Sequence, residues 1–313
     1  MTWRDHICYT AIMTPVSETT HKPKGPFDLL YQNQFFNGWP LLPDSKTIVM
    51  AFPVESWNSS AAVTMSQQAD GSIDLKVYGN ANDADKAARQ ALAALSLDEN
   101  GTGWQAVGER DQALHELQET YHYMRPTLFH SPYEAAAMFL IGHRISIVQR
   151  RKLTDKMARD FGQKFTIDGQ DFYAFPTPQK LLEITEYQGL NLTKIERMHA
   201  AAQAALDGWL DRGTLRALDH EEAIEEVLGL PGVGAFFAQG IIDRGAGSTD
   251  SLTNDDITYH AIGLRYGLGD SPSKEQIERV AESWRPYRMW AVVLHHVWAR
   301  QNKLMPKRTF SKR

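Results

Sequence analysis

The stretch from Val227 to Leu264, VLGLPGVGAFFAQGIIDRGAGSTDSLTNDDITYHAIGL, decides the fold. It opens on the end of an apolar helix, Val227-Leu228, and breaks at Leu230-Pro231-Gly232-Val233-Gly234. Pro231 lacks a backbone donor and fixes its own φ. Gly232 and Gly234 reach backbone conformations closed to other residues, so no regular helix contains this segment. A second helix is expected from Ala235, with Phe236, Phe237, Ile241 and Ile242 as its apolar positions. The unit is helix, short hairpin, helix, and its chemistry lies in the backbone. Amides ahead of the second helix stand at its positive end, and bare glycines let a phosphate come close. A site for a nucleic-acid phosphate or other anion fits the LPGVG string, and so does a plain tight turn between packed helices.

The downstream half weighs between them. Asp250-Ser251-Leu252-Thr253-Asn254-Asp255-Asp256 is a polar run with several N-cap candidates, followed by Ile257, Ala261, Ile262 and Leu264 at helical spacing. A carboxylate therefore sits at a helix start just after the hairpin. In this order of parts the segment resembles the helix-hairpin-helix DNA glycosylases. Within them it is most similar to 3-methyladenine DNA glycosylase II, the AlkA type, whose motif ends in a paired Asp-Asp. The resemblance implies that Asp256, second of the pair, is catalytic; Asp255 reads as a cap or surface residue. Further matches are Ser131-Pro132-Tyr133-Glu134-Ala135 through Ile141-Gly142-His143-Arg144-Ile145-Ser146, then Phe175-Pro176-Thr177-Pro178 and Gly189-Leu190-Asn191-Leu192. Trp284-Arg285-Pro286-Tyr287-Arg288 followed by His295-His296-Val297-Trp298 completes them. The resemblance covers about residues 110 to 300, in matching order and spacing.

Three tasks follow for an enzyme that flips a nucleotide from a duplex to reach its N-glycosidic bond. The phosphate backbone must be gripped, a task that suits the hairpin at Leu230, Gly232, Val233 and Gly234. In the family, hairpin carbonyls also hold a monovalent cation, so Na+ or K+ is expected at Leu230 and Val233, with no other cofactor and no side-chain metal site. The gap in the stack must be plugged, and the inserting loop aligns with His143, Arg144 and Ile145. His143 stands where glutamine is usual, and Arg144 where an apolar residue is. Arg144 stacking through its guanidinium, Ile145 filling the gap, and Arg144 contacting a phosphate all remain open. Finally, positive charge developing on the sugar must be stabilised. Asp256 does this if its carboxylate, held ionised by the helix dipole, lies beneath the sugar.

One absence also bears on the reaction. Bifunctional relatives place a nucleophilic lysine two residues after the hairpin's last glycine, and here that residue is Phe236. No Schiff base can form there, which implies a monofunctional hydrolase. Phe236 and Trp298 align with aromatic pocket residues, whose faces attract cationic alkylated bases. Gly240 replaces a pocket tyrosine, which implies a wider pocket. With one aspartate and no evident acid to protonate the leaving base, cationic alkylpurines are expected to leave faster than neutral hypoxanthine or uracil.

Composition sets bounds on these expectations. The 313 residues allow one large domain or two ordinary ones, with hydrophobic and aromatic fractions of 42% and 10%. Cys8 is the only cysteine, which excludes an internal disulfide and a four-cysteine iron–sulfur cluster. MTWRDHICYT is not a secretory signal, and no apolar run is long enough to span a membrane. A net charge of −5 is unusual for a DNA binder. A small footprint needs only local cations, and Arg144, Arg150, Arg151, Lys152, Lys156 and Arg159 supply candidates. The tail Lys303, Lys307, Arg308, Lys312, Arg313 reads as frayed.

The expected organisation is an α+β N-terminal domain over residues 1–109 with an antiparallel sheet, then an all-α helix-hairpin-helix domain over 110–313. The Pro-, Ser- and Thr-rich TPVSETTHKPKGPF reads as a surface arm. Ala61–Gln67 and Ser72–Tyr78 flank Asp70-Gly71 as a β-hairpin, and Asp83–Leu97 reads as a helix. After Gly108 the β signals nearly stop. The functional expectation is a monomeric DNA repair enzyme, cytoplasmic (nucleoid) or nuclear and with no membrane partner. Acting on double-stranded DNA with a damaged base, it would hydrolyse alkylated purines from the sugar. The alternatives are a glycosylase for uracil, hypoxanthine or an oxidised purine, and a non-catalytic binder of damaged DNA.

Overall fold

The computed structural model describes residues 13–35, 38–253 and 255–304, so Cys8 and most of the basic tail lie outside the described residues. Strands β1 (Ser17–His21), β2 (Ile48–Pro53), β3 (Ser60–Gln67) and β4 (Ile73–Gly79) form one antiparallel sheet in the order β1-β4-β3-β2. Val63 stands opposite Val77 and Met65 opposite Leu75. The turn between β3 and β4 uses Gly71 at φ +81°, a conformation glycine adopts without strain. Helix α1 (Leu29–Asn33) is capped by the Asp28 side chain, which accepts from the Tyr31 amide. Helix α2 (Ala84–Ala94) lays Ala84, Ala87, Ala91 and Ala94 on the sheet face that carries Ile48, Met50, Val63, Leu75 and Val77.

Two expectations change here. Part of the supposed arm is a strand: β1 pairs along β4, with Ser17 opposite Val77 and His21 opposite Ile73. An open sheet edge offers unpaired amides and carbonyls, and the Thr-rich SETTH suits a pleated surface. Nor is the region after Gly108 wholly helical. Strands β5 (Lys164–Ile167) and β6 (Gln170–Tyr173) form a hairpin about Asp168-Gly169. Its sequence signal is an Asp-Gly pair flanked by alternating apolar residues. Phe165, Ile167, Phe172 and Ala174 cover the second face of the main sheet, against Val49, Ala62 and Tyr78.

The remaining helices are α3 (Trp104–Glu109), α4 (Gln112–Thr120), α5 (Pro132–Gly142), α6 (Ile147–Phe161), α7 (Pro178–Leu182) and α8 (Leu192–Leu206), then α9 (Arg212–Ala217), α10 (His220–Leu228), α11 (Ala235–Ile241), α12 (Asp256–Arg265), α13 (Lys274–Ala281) and α14 (Arg288–Gln301). They pack around two cores. In one, small residues on α5 (Ala135, Ala136, Ala137), α8 (Ala201, Ala202, Ala205) and α11 (Ala238) let the helices approach closely. In the other, Trp104, Tyr121, Trp284 and Trp290 join α3 and α4 to α14. Helix α11 runs on into a π-helical turn, Ile242–Gly247. With α12 and α14 it encloses the site. Among the described residues no helix is long and apolar enough to cross a membrane.

Candidate active site

The hairpin is built from the end of α10 forward. The Leu230 amide donates to the Val227 carbonyl at 3.1 Å, and the Val233 amide donates to the Leu230 carbonyl at 3.1 Å. Gly232 sits at φ +82°, where a side chain would be strained. Val233 is buried and pins the turn to the core, while Gly232 and Gly234 are exposed. Gly234 is extended and caps α11 without a side chain, so no side-chain cap competes for the first-turn amides. The Arg197 side chain of α8 lies over Gly232, so close that a Cβ there would come within 2.4 Å of it.

Arg197, Lys194, His143 and Arg144 line a cleft of about 520 Å³ beside the hairpin. Arg144 is exposed at its rim with φ +58°. Burial lowers the His143 pKa, and the Arg144, Arg197 and Lys194 charges lower it further. Ile145 is half-buried, lining the same cleft and packing against the core. Of the local cations expected to offset the acidic net charge, Arg144 lines this cleft, and it is joined there by Lys194 and Arg197 of α8. On α6, by contrast, Lys156 is paired with Asp160 and Arg159 lies over the Tyr173 ring.

A second cavity of about 460 Å³ opens on the other side of α11, and Phe236, Gly240 and Asp256 all line it. The paired aspartates divide their work. Asp255 is the cap of α12: its Oδ1 accepts from the amides of Ile257 (3.1 Å) and Thr258 (2.9 Å), and its Oδ2 from the hydroxyls of Thr258 (2.6 Å) and Thr253 (3.1 Å). Asp256 is the first residue of α12, exposed at the cavity rim at the positive end of the helix. Asp255 fixes the turn that presents Asp256. Phe236 is 66% exposed, a large apolar face held in water beside the carboxylate.

Two pocket expectations fail. Trp298 does not line the cavity: it packs with the second core, and the Arg265 guanidinium lies 5.3 Å over its ring. The α14 face on the cavity is Met289, Val292, Val293, His296 and Arg300. Two residues past His296, at about 100° per residue, Trp298 points to the far side. Helical spacing counted from Met289 would have chosen His296. Burial lowers its imidazole pKa, as do Arg300 and Arg244, against the opposing pull of Asp255. Its neighbour His295 is packing, stacked on Trp284 at 5.0 Å. Gly240 does not widen the pocket either. The Phe139 ring occupies that space, 2.4 Å from where a Cβ would stand. Phe139, on α5, is a second aromatic wall that no motif pointed to.

Three further polar residues of the cavity, Gln239, Asp243 and Arg244, lie within the Val227–Leu264 stretch but carry no role in the sequence reading. Asp243 is 1% exposed, with Oδ1 accepting from the Ser251 hydroxyl at 2.7 Å. The Arg244 Nε donates to the Thr127 carbonyl at 3.0 Å.

No family model matches the chain. Over 170 residues it is 31% identical to DNA-3-methyladenine glycosylase 2 of Escherichia coli (strain K12), covering 53% of this chain and 56% of that protein. The chain thus spans little more than half the length of this relative. Among solved structures, the 3-methyladenine DNA-glycosylase from Archaeoglobus fulgidus superposes with a TM-score of 0.74 at 21% identity, over 92% of this chain and 100% of that one. The Clostridium acetobutylicum 8-oxoguanine glycosylase/lyase, in complex with double-stranded DNA, superposes at 0.60 with 20% identity, over 78% and 86%.

Proposed function

We propose that this chain, which has the fold of these glycosylases and resembles the 3-methyladenine glycosylase II type, is a monofunctional DNA glycosylase that hydrolyses alkylated purines from duplex DNA. One observation carries the proposal: Asp256 and Phe236 face one cavity large enough to admit a nucleobase, directly beyond a hairpin with uncapped amides. The hairpin and the cleft cations Lys194 and Arg197 grip phosphates. A monovalent cation, Na+ or K+, at the Leu230 and Val233 carbonyls would add to that grip. Arg144, at the tip of its loop, enters the gap that the flipped nucleotide leaves. Phe236 and Phe139 stack on the extruded base, and a cationic base gains about 0.5–2 kcal/mol from each exposed face.

The reaction is a displacement at C1′. The glycosidic bond breaks with its electron pair going to the base. Positive charge spreads over the sugar, and the Asp256 carboxylate stabilises it electrostatically. Water adds to C1′ and gives up its proton to solvent, and the cationic alkylpurine leaves as a neutral base. With Phe236 where a lysine would form an imine, the strand is not cut. The test is a panel of duplexes carrying 7-methylguanine, 3-methyladenine, hypoxanthine or uracil, scored for base release. Borohydride is added to trap any covalent adduct. Release of alkylpurines without trapping is expected. Binding without release of any base would leave a damaged-DNA binder, and a trapped adduct would overturn the monofunctional assignment.

A further inference from the structure

We propose that Asp243 is the acid that protonates neutral purines as they leave, making this residue the determinant of whether the enzyme is confined to cationic lesions. The proposal rests on the glycosylase assignment above and concerns the same cavity. Asp243 lines that cavity on the face of α11 and its π-helical extension that also carries Phe236, Gln239 and Gly240. Its two oxygens differ. Oδ1 is held by Ser251 at 2.7 Å, while Oδ2 is buried and makes no hydrogen bond of normal geometry among the described residues, the Gln239 amide acting on the carboxyl only as a weaker neighbour. A buried carboxyl oxygen left unpaired is costly unless it carries a proton or meets a ligand. The π-helical turn places the residue here, and such turns recur at functional sites.

The surroundings favour the acid form. Burial pushes the carboxyl up to about 6, against the opposing pull of the Ser251 hydroxyl, His220, Gln239 and Arg244. From α10, His220 Nε2 stands 3.9 Å from Oδ1. From α9, Arg216 is engaged by the Ala246 carbonyl and Asp98. Across the cavity stand His296 and Arg300 of α14 and Asp255 and Asp256 at the start of α12. Asp256 is exposed and Asp243 is enclosed, so the cavity holds two carboxyls in unlike surroundings, a pairing suited to two separate roles.

The step balances as follows. The Asp243 O–H proton passes to a ring nitrogen of the neutral purine while the C1′–N9 bond breaks and its electron pair goes to the base. Water adds to C1′, and the proton it loses restores the carboxyl through solvent. An alkylpurine cation already carries the equivalent of that proton and gains nothing from the acid.

The test compares single-turnover release of hypoxanthine and 7-methylguanine from matched duplexes, by the wild type between pH 5 and 8 and by Asp243→Asn. Asn keeps the volume and an acceptor for Ser251 but has no acidic proton. Hypoxanthine release should fall with rising pH through about 6, where 7-methylguanine release does not fall with it. Asp243→Asn should slow hypoxanthine by about 10²-fold, at the low end for acid catalysis, and 7-methylguanine by less than about threefold. The ratio of the two rates is independent of how much variant folds, and the wild-type pH profile needs no variant. Equal slowing of both bases, a flat ratio across pH, or wild-type release of 7-methylguanine with none of hypoxanthine would overturn the role of Asp243 alone. Release of neither would overturn the glycosylase assignment and this inference with it.

Discussion

Two clefts lie on either side of Phe237, whose ring stands 5.8 Å from His143 in one direction and 5.3 Å from Phe139 in the other. The first, beside the hairpin, is rimmed by Arg144, Lys194 and Arg197 and uses backbone amides and long, adaptable cations. The second is walled by Phe139, Phe236, Met289 and Val292 and holds carboxyls at two levels of burial. A phosphate backbone repeats and is matched by charge that can adjust. A reacting sugar is single and needs charge fixed in place. Affinity should therefore belong to the first cleft and chemistry to the second.

The largest expected effect is Asp256→Asn, which should lower single-turnover excision by about 10²–10³-fold with duplex affinity unchanged. Parallel loss of binding, or near-normal excision, would break the division between the clefts. Next is Asp243→Asn, read as stability. The folded carboxyl is raised to about 6, above its unfolded value near 3.9. Between those pH values the native state therefore holds more protons than the unfolded one, and wild-type stability falls as pH rises through the interval. The variant lacks this loss. Its stability relative to wild type should rise by about 1–3 kcal/mol from pH 4 to pH 7 in urea melts. A constant gap would place Asp243 outside the buried, raised class.

A comparable effect tests the wall. Gly240→Leu drives a side chain into the Phe139 ring and should cost about 1–3 kcal/mol. Phe139→Ala in the same chain should relieve part of that cost, so additive effects would contradict the packing. On the hairpin side, Gly232→Val should weaken binding to every sequence by about tenfold, or roughly 1.4 kcal/mol. Arg197→Ala should flatten the salt dependence of binding by about one unit of slope. Excision at saturating enzyme should hold in both. The smallest effect is on lesion choice in Trp298→Ala, where the ratio of cationic to neutral release should not move; a change would return Trp298 to the pocket.

Legibility in the sequence followed the reach of each physical cause. The hairpin, the cap at Asp255 and the position of Asp256 depend on contiguous residues whose conformations are restricted locally, and they could be read directly. The β3–β4 hairpin announced itself through Asp70-Gly71. The equivalent signal at Asp168-Gly169 was overridden by the helical patterns around it. Residues contributed from elsewhere were harder to find. Phe139 fills the space beside Gly240 from another helix, and only the fold brings the two together. Trp298 was chosen by motif alignment, where the helical phase set by Met289, Val292 and Val293 selects His296. Asp243 stayed hidden because a carboxylate following an apolar helical run looks like a solvated end until the π-helical turn buries it.

The hairpin of β5 and β6 has a consequence for how the chain is made. A ribosome delivers β2, β3 and β4 early, but Phe165, Ile167, Phe172 and Ala174, which cover the second face of that sheet, emerge about a hundred residues later. Through that interval of synthesis the nascent sheet carries Val49, Ala62 and Tyr78 without their cover. Contacts closed over such distances form slowly. A nascent chain stalled before residue 164 should therefore carry a sticky surface that chaperones can hold and that vanishes once translation passes Ala174.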